Sequence, residues 1–105
     1  MDGKFEISRH EMFDAWYESL KKRDPLSYDR IAARLRRIRE TGRFGDCKPV
    51  GEGVLELRFH FSSGYRTYFI SRSKTLILLL CAGDKSSQAS DIEKAKQLAK
   101  EVRGG

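Results

Sequence analysis

Residues 55–70, reading LELRFHFSSGYRTYFI, constrain the fold more tightly than any other stretch of this chain. Leu55, Leu57, Phe59 and Phe61 alternate with Glu56, Arg58 and His60, the period of two that gives a strand one buried face. Ser62-Ser63-Gly64 supplies small residues suited to a turn, and residues 65–70 resume in aromatic and β-branched side chains. The pattern predicts a β-hairpin. Its polar face carries Arg58 and His60, with Arg66 just past the turn.

The flanking segments supply what such a hairpin would pack against. Lys4-Phe5-Glu6-Ile7 alternates as a short first strand, and Ser8 with Glu11 has the spacing of a capping box. Phe13, Trp16, Tyr17 and Leu20 then recur at helical spacing, so residues 9–22 read as an amphipathic helix with an aromatic core stripe. Asp24-Pro25 marks a second helix start. Tyr28, Ile31, Leu35 and Ile38 carry that helix to Thr41, where Gly42 fits a C-terminal stop. Residues 43–53 hold Gly45, Pro49, Gly51 and Gly53 and read as a loop, with at most a short strand over 47–50. Residues 75–81 (TLILLLC) are apolar at nearly every position, as in a central strand covered on both faces. Ser87 can cap a last helix over 88–103, with Ile92, Ala95, Ala99 and Val102 facing inward. The expectation is one α+β domain over residues 1–105, ordered strand, helix, helix, three antiparallel strands, helix. The helical hairpin would pack on one face of a four-stranded, mainly antiparallel sheet.

Charge narrows the partners. Lys and Arg number 21 against 15 Asp and Glu, a formal charge of +6 that favours RNA, DNA or an acidic protein segment. The second helix carries Arg30, Arg34, Arg36, Arg37 and Arg39, with Arg43 beyond it. Such a row could track a phosphate backbone, form a solvated face, or seat an acidic partner. Cys47 and Cys81 are the only cysteines and have no zinc-site spacing; two lone thiols fit a reducing compartment. Residues 1–10 include Asp2, Lys4, Glu6 and Arg9 and no apolar core, so no signal peptide is expected. The apolar run over 76–82 is far short of the roughly 20 residues that span a bilayer. A soluble cytoplasmic protein without membrane contact is expected. No carboxylate cluster suited to Mg²⁺ is legible, and no metal or other cofactor is expected.

Four local signatures, taken with the order of elements, carry a family resemblance. They are Phe13-x-x-Trp16, Gly51-x-Gly53-Val54-x-Glu56-Leu57-Arg58, Gly64-Tyr65-Arg66-x-Tyr68, and Gly83-Asp84-Lys85-Ser86-Ser87-Gln88 followed by Asp91-Ile92. Together they resemble the RelE/ParE toxin superfamily of type II toxin–antitoxin modules, closest to its HigB-like, phage-derived addiction module killer branch. The resemblance implies a RelE-like fold and a metal-independent ribonuclease that cuts mRNA in the ribosomal A site. It leaves open a ParE-type inhibitor of DNA gyrase and an inactive relative that only binds an antitoxin. The implied partner is a cognate antitoxin, typically a helix-turn-helix protein.

The resemblance also implies roles for residues. Arg66 matches the family arginine that contacts the scissile phosphate, a task suited to a planar guanidinium. Lys85 stands where a basic group near the leaving oxygen is common, and a lysine can donate a proton where an arginine cannot. Arg58 and His60 lie where ribonuclease members place basic residues, and an imidazole, with an ordinary pKa of about 6.5, suits a general base. Arg34 and Arg37 are candidates for RNA contact, and Tyr65 and Tyr68 for stacking on bases. The family's tyrosine or histidine in the last helix has no counterpart here, where the chain reads Ser90-Asp91-Ile92-Glu93.

Overall fold

The computed structural model describes residues 4–104. Residues 1–3, which enter the expectation about a signal peptide, lie outside the described residues. The elements run β1 (Glu6–Arg9), α1 (Glu11–Arg23), α2 (Pro25–Thr41), β2 (Cys47–Gly51), β3 (Val54–Arg58), β4 (Arg66–Ser71), β5 (Leu76–Gly83), a single 3-10 turn (Lys85–Ser87) and α3 (Gln88–Gly104). The strands form one open sheet in the order β1-β5-β4-β3-β2. β1 lies parallel to β5, and every other pairing is antiparallel.

The sheet has five strands, not the four expected. The added member, β2, carries Lys48, Pro49 and Gly51, and among the described residues its strand partner is β3 alone. A proline is compatible with a strand at a sheet edge, where one side of the backbone has no ladder to join. Two further expectations are corrected. The cap of α1 is His10, whose Nδ1 accepts from the backbone of Met12 at 3.0 Å, rather than Ser8. Ser8 and Arg9 are instead held extended by pairing with Leu78 and Leu79 of β5. The hairpin connection is also longer than Ser62-Ser63-Gly64: β3 ends at Arg58 and β4 begins at Arg66.

The second helix starts and stops as its residues dictate. Asp24 Oδ1 accepts from the backbone of Ser27 at 3.2 Å, Pro25 follows, and Gly42 closes the helix at φ 74°. α1 and α2 are clamped together by the stacked rings of Tyr17 and Tyr28, 4.1 Å between centroids. Phe13, Leu20, Ile31, Leu35 and Ile38 of this helical hairpin pack on Leu57, Phe59, Phe69, Ile77 and Leu79 of the sheet. Fully burying each such side chain contributes about 1.5–3 kcal/mol.

The opposite sheet face is covered too. α3 packs Ala95, Leu98 and Ala99 onto Val54, Tyr68, Ile70, Leu80 and Cys81. β5 therefore serves both cores, as its unbroken apolar run predicts. β3 departs from its pattern: the face expected to be polar lies partly under α3, and Glu56 is 0% exposed.

Candidate functional site

The sheet ends in a groove of about 410 Å³, to which β3 and β4 deliver Arg58 and Arg66 and the turn after β5 delivers Lys85. Arg58 and Arg66 are direct cross-strand partners, and Arg66 pairs on its other side with Gly83 at the end of β5. Lys85 follows two residues later and is exposed. The connection between β3 and β4 forms one wall through Phe59, His60, Ser62, Ser63 and Gly64. Gly64 adopts φ 69°, which favours glycine, and a Cβ there would come within 3.4 Å of Lys85 Cβ. Ser63 also accepts from the Lys85 backbone at 3.3 Å, which ties the two walls together.

Beneath the arginines lies Glu56. Its Oε1 is 3.8 Å from Arg58 Nε, and its Oε2 is 3.5 Å from Arg66 Nε. Tyr68 and Gln88 donate to the same Oε2 at 3.0 and 2.8 Å. Burial, then the Glu56 charge, pushes the Tyr68 hydroxyl well above the usual tyrosine range, so it stays protonated and donating. Arg66 is 7% exposed and its Nη1 donates to Gly64 O at 2.8 Å. Arg58 is more open, with 29% of its side chain exposed.

His60 lies on the outer lip with 68% of its side chain exposed, and its Nε2 pairs with Asp46 Oδ2. That hydrogen bond, followed by the Arg58 charge, holds the Asp46 carboxyl below its ordinary range. Asp46 is therefore an acceptor for His60, which leaves Nδ1 as the imidazole's other nitrogen.

Arg66, Lys85, His60 and Arg58 thus line one groove. The four other candidates stand elsewhere. Arg34 donates to Phe44 O at 2.9 Å and to Arg58 O at 2.7 Å, and covers the Phe59 ring at 4.6 Å. It braces the end of β3 from below. Arg37 is exposed on α2 and is not among the groove residues. Tyr65 is buried, edge-on to Trp16, and its hydroxyl donates to Asp24 at 3.0 Å. Tyr68 is fully buried beneath α3. Neither ring offers a face to a base, which corrects the stacking role expected of both.

Four residues that hold the groove side chains in place are not marked as such by the sequence. Glu56 had a signal in its alternation with Leu55 and Leu57, but that pattern reads as exposed. Gln88 stands in the Gly83-to-Gln88 signature and opens the last helix, but neither feature marks it as a partner of Glu56. Asp46 sits in a glycine-containing loop with no pattern to mark it. Asp24 was legible as a helix cap, yet it also accepts from Ser62 Oγ at 3.1 Å and from Tyr65, anchoring the groove wall to the α1–α2 junction. Among the described residues no group of three or more His, Cys, Asp or Glu is placed to hold a metal ion. No helix among them is long and apolar enough to cross a membrane.

Chemically, the groove gathers three cationic side chains, Arg58, Arg66 and Lys85, against the buried Glu56 carboxylate and the Asp46 carboxylate at its lip, so positive charge is in excess. Such a groove suits a phosphate-bearing ligand, with an imidazole at its lip.

A family model described as phage-derived protein Gp49-like (DUF891) matches residues 18–102. An uncharacterized protein of Haemophilus influenzae (strain ATCC 51907 / DSM 11121 / KW20 / Rd) is 43% identical over 90 residues, covering 86% of this chain and 88% of that protein. No solved structure matches.

Proposed function

We propose that this chain, which belongs to the Gp49-like family of phage-derived proteins, acts as a metal-independent, ribosome-dependent mRNA endoribonuclease of the RelE/ParE, HigB-like kind. The family is associated with the toxins of toxin–antitoxin modules, which implies an antitoxin partner. In this reading the antitoxin is a helix-turn-helix protein that covers the basic groove, the target is mRNA in the ribosomal A site, and the setting is the cytoplasm.

The observation that carries the reading is the pairing of Arg58 and Arg66 across β3 and β4, with Lys85 beside them in one groove. Cleavage of RNA needs a base for the ribose 2′-hydroxyl, compensation for charge growing on the phosphate, and a proton for the leaving oxygen. Arg66 and Arg58 clamp the phosphate oxygens. His60, oriented through Nε2 by Asp46, takes the 2′-hydroxyl proton on Nδ1. The freed 2′-oxygen attacks phosphorus and forms a 2′,3′-cyclic phosphate. Lys85 gives its proton to the departing 5′-oxygen, and a proton passing from His60 to Lys85 through solvent restores the site.

The test is cleavage of a defined mRNA on purified ribosomes. Arg66→Ala should slow it by about 10²–10³-fold, the usual loss when one donor to a developing oxyanion is removed. Unchanged cutting would refute the role of Arg66.

A second reading, a catalytically inactive relative that binds an antitoxin, is favoured by one observation. Tyr65 and Tyr68 are buried, and the start of α3 contributes Gln88 and Asp91 rather than an aromatic or imidazole group. Wild-type protein that binds its antitoxin but leaves ribosome-bound mRNA intact would establish that reading.

A further inference from the structure

The geometry points to Glu56 as the positioning residue of the groove, a buried carboxylate that fixes the two arginines in register for a phosphodiester. This inference rests on the ribonuclease reading above for its substrate class. Glu56 touches no solvent and cannot itself reach a ligand.

Two arginines directly opposite each other on neighbouring strands repel, because directly paired residues have Cβ atoms only about 4.5–5.5 Å apart. Unrestrained, their long side chains would splay apart, and neither would present a fixed fork. Glu56 answers this from below. It is two residues before Arg58 on β3 and directly opposite Tyr68, itself two residues after Arg66 on β4. One oxygen faces each Nε, at 3.8 and 3.5 Å. Both Nε atoms are buried and, like Glu56 Oε1, have no hydrogen-bond partner, while both side chains line the groove. Glu56 therefore draws each guanidinium inward by charge rather than by a hydrogen bond, while the side chain reaches the ligand space. Arg66 is held further by Nη1 on Gly64 O.

The carboxylate is fixed in turn. Tyr68 donates to Oε2 from β4 and Gln88 donates to it from the first residue of α3. Three elements therefore converge on one side chain that is remote from solvent. Removing such a charge from water is costly, and a negative charge under a phosphate site weakens anion binding. The first runs against stability and the second against affinity. Orientation is what the arrangement supplies in exchange, and orientation acts on rate more than on binding.

That asymmetry gives a test that a merely structural role would not reproduce. Glu56→Gln keeps the size of the side chain and an oxygen for Tyr68 and Gln88, but removes the charge. On ribosome-bound mRNA, kcat should fall by about 10²-fold, the scale of a misplacement near 1 Å. Binding of a non-cleavable 2′-O-methyl RNA oligonucleotide should hold or tighten severalfold. The salt dependence of that binding should steepen by up to one phosphate, about 0.7 in slope for a single strand. Arginine Nε–H resonances of Arg58 and Arg66, measured without RNA, should be sharp in the wild type and broadened in Glu56→Gln. Gln88→Met, which removes one donor to Glu56 without touching a strand, should lower kcat severalfold and leave affinity unchanged, and it stands in if Glu56→Gln fails to fold.

A kcat within about twofold of wild type in a folded Glu56→Gln would overturn the inference. So would RNA affinity falling in step with kcat, or unchanged Nε–H resonances. A wild type that binds RNA without cutting it would sink the ribonuclease reading, while the resonances would still decide whether Glu56 positions the arginines.

Discussion

Tyr68→Phe isolates one hydrogen bond beneath the groove, and its cost can be worked from the geometry. The hydroxyl lies 3.0 Å from Glu56 Oε2, and both residues are fully buried. Removing a donor to a buried charged acceptor costs about 1.5–3 kcal/mol. The remaining contacts of Oε2, Gln88 at 2.8 Å and Arg66 at 3.5 Å, keep it from being orphaned. The loss should therefore fall in the lower part of that range, about 1.5–2 kcal/mol. At about 2.1 cal/mol/K per residue, 105 residues give an unfolding entropy near 0.22 kcal/mol/K, so Tm should drop by about 7–9 °C. Tyr17→Phe is the control, since its hydroxyl donates to the neutral carbonyl of Tyr28 at 3.2 Å. A neutral pair contributes about 0.5–1.5 kcal/mol, or roughly 2–7 °C by the same conversion. Calorimetry of the two variants decides the matter. Tyr68→Phe melting within about 2 °C of wild type, or above Tyr17→Phe, would refute the idea that the Glu56 charge governs this bond.

Two further outcomes follow from shifted titrations. The hydrogen bonds from Ser27, with Tyr65 and Ser62 behind them, hold the Asp24 carboxyl below its ordinary range. Its contribution to stability is thus present above the ordinary carboxylate pKa of about 3.9 and lost as pH falls through the lowered folded value. Urea melts should find Asp24→Asn less stable than wild type at pH 7, with the gap closing below about pH 4; a gap independent of pH would count against it. Burial, then Asp91, pushes the Cys81 thiol from 9.0 up to about 12. Iodoacetamide at pH 8 should label the half-buried Cys47 first and reach Cys81 only through unfolding, so that urea accelerates the second event; equal native rates would contradict the placement of Cys81.

Much of the fold was legible because it is written in local patterns. The Phe13, Tyr17 and Leu20 stripe, the Asp24-Pro25 start and the Gly42 stop act within a few residues, and all of them stand in the structure. β2 was legible only as at most a short strand over 47–50, because Gly45, Pro49, Gly51 and Gly53 read as a loop. It is extended because β3 offers it an edge, a preference that exists only once the sheet has formed. The helix start at Ser8 failed for a similar reason. Its capping geometry is locally sound, but ladder bonds to β5 hold Ser8 in a strand.

The misreading of β3's polar face has a cause that was visible in the chain. α3 presents Ala95, Leu98 and Ala99 to the interior, and such a stripe must bury itself against something. With α1 and α2 on one face of the sheet, only the other face remains, and that face carries Glu56, Arg58, Arg66 and Tyr68. Charged residues on a covered face must find partners, so the helix count alone implies a buried ionic cluster on β3 and β4. The individual partners do not follow in the same way. Gln88 meets Glu56 across 32 positions of sequence, and Ser62 and Tyr65 meet Asp24 across 38 and 41. The cations were legible because basic residues cluster in short motifs. The groups that aim them are chosen by proximity in the folded sheet, and no spacing rule along the chain records it.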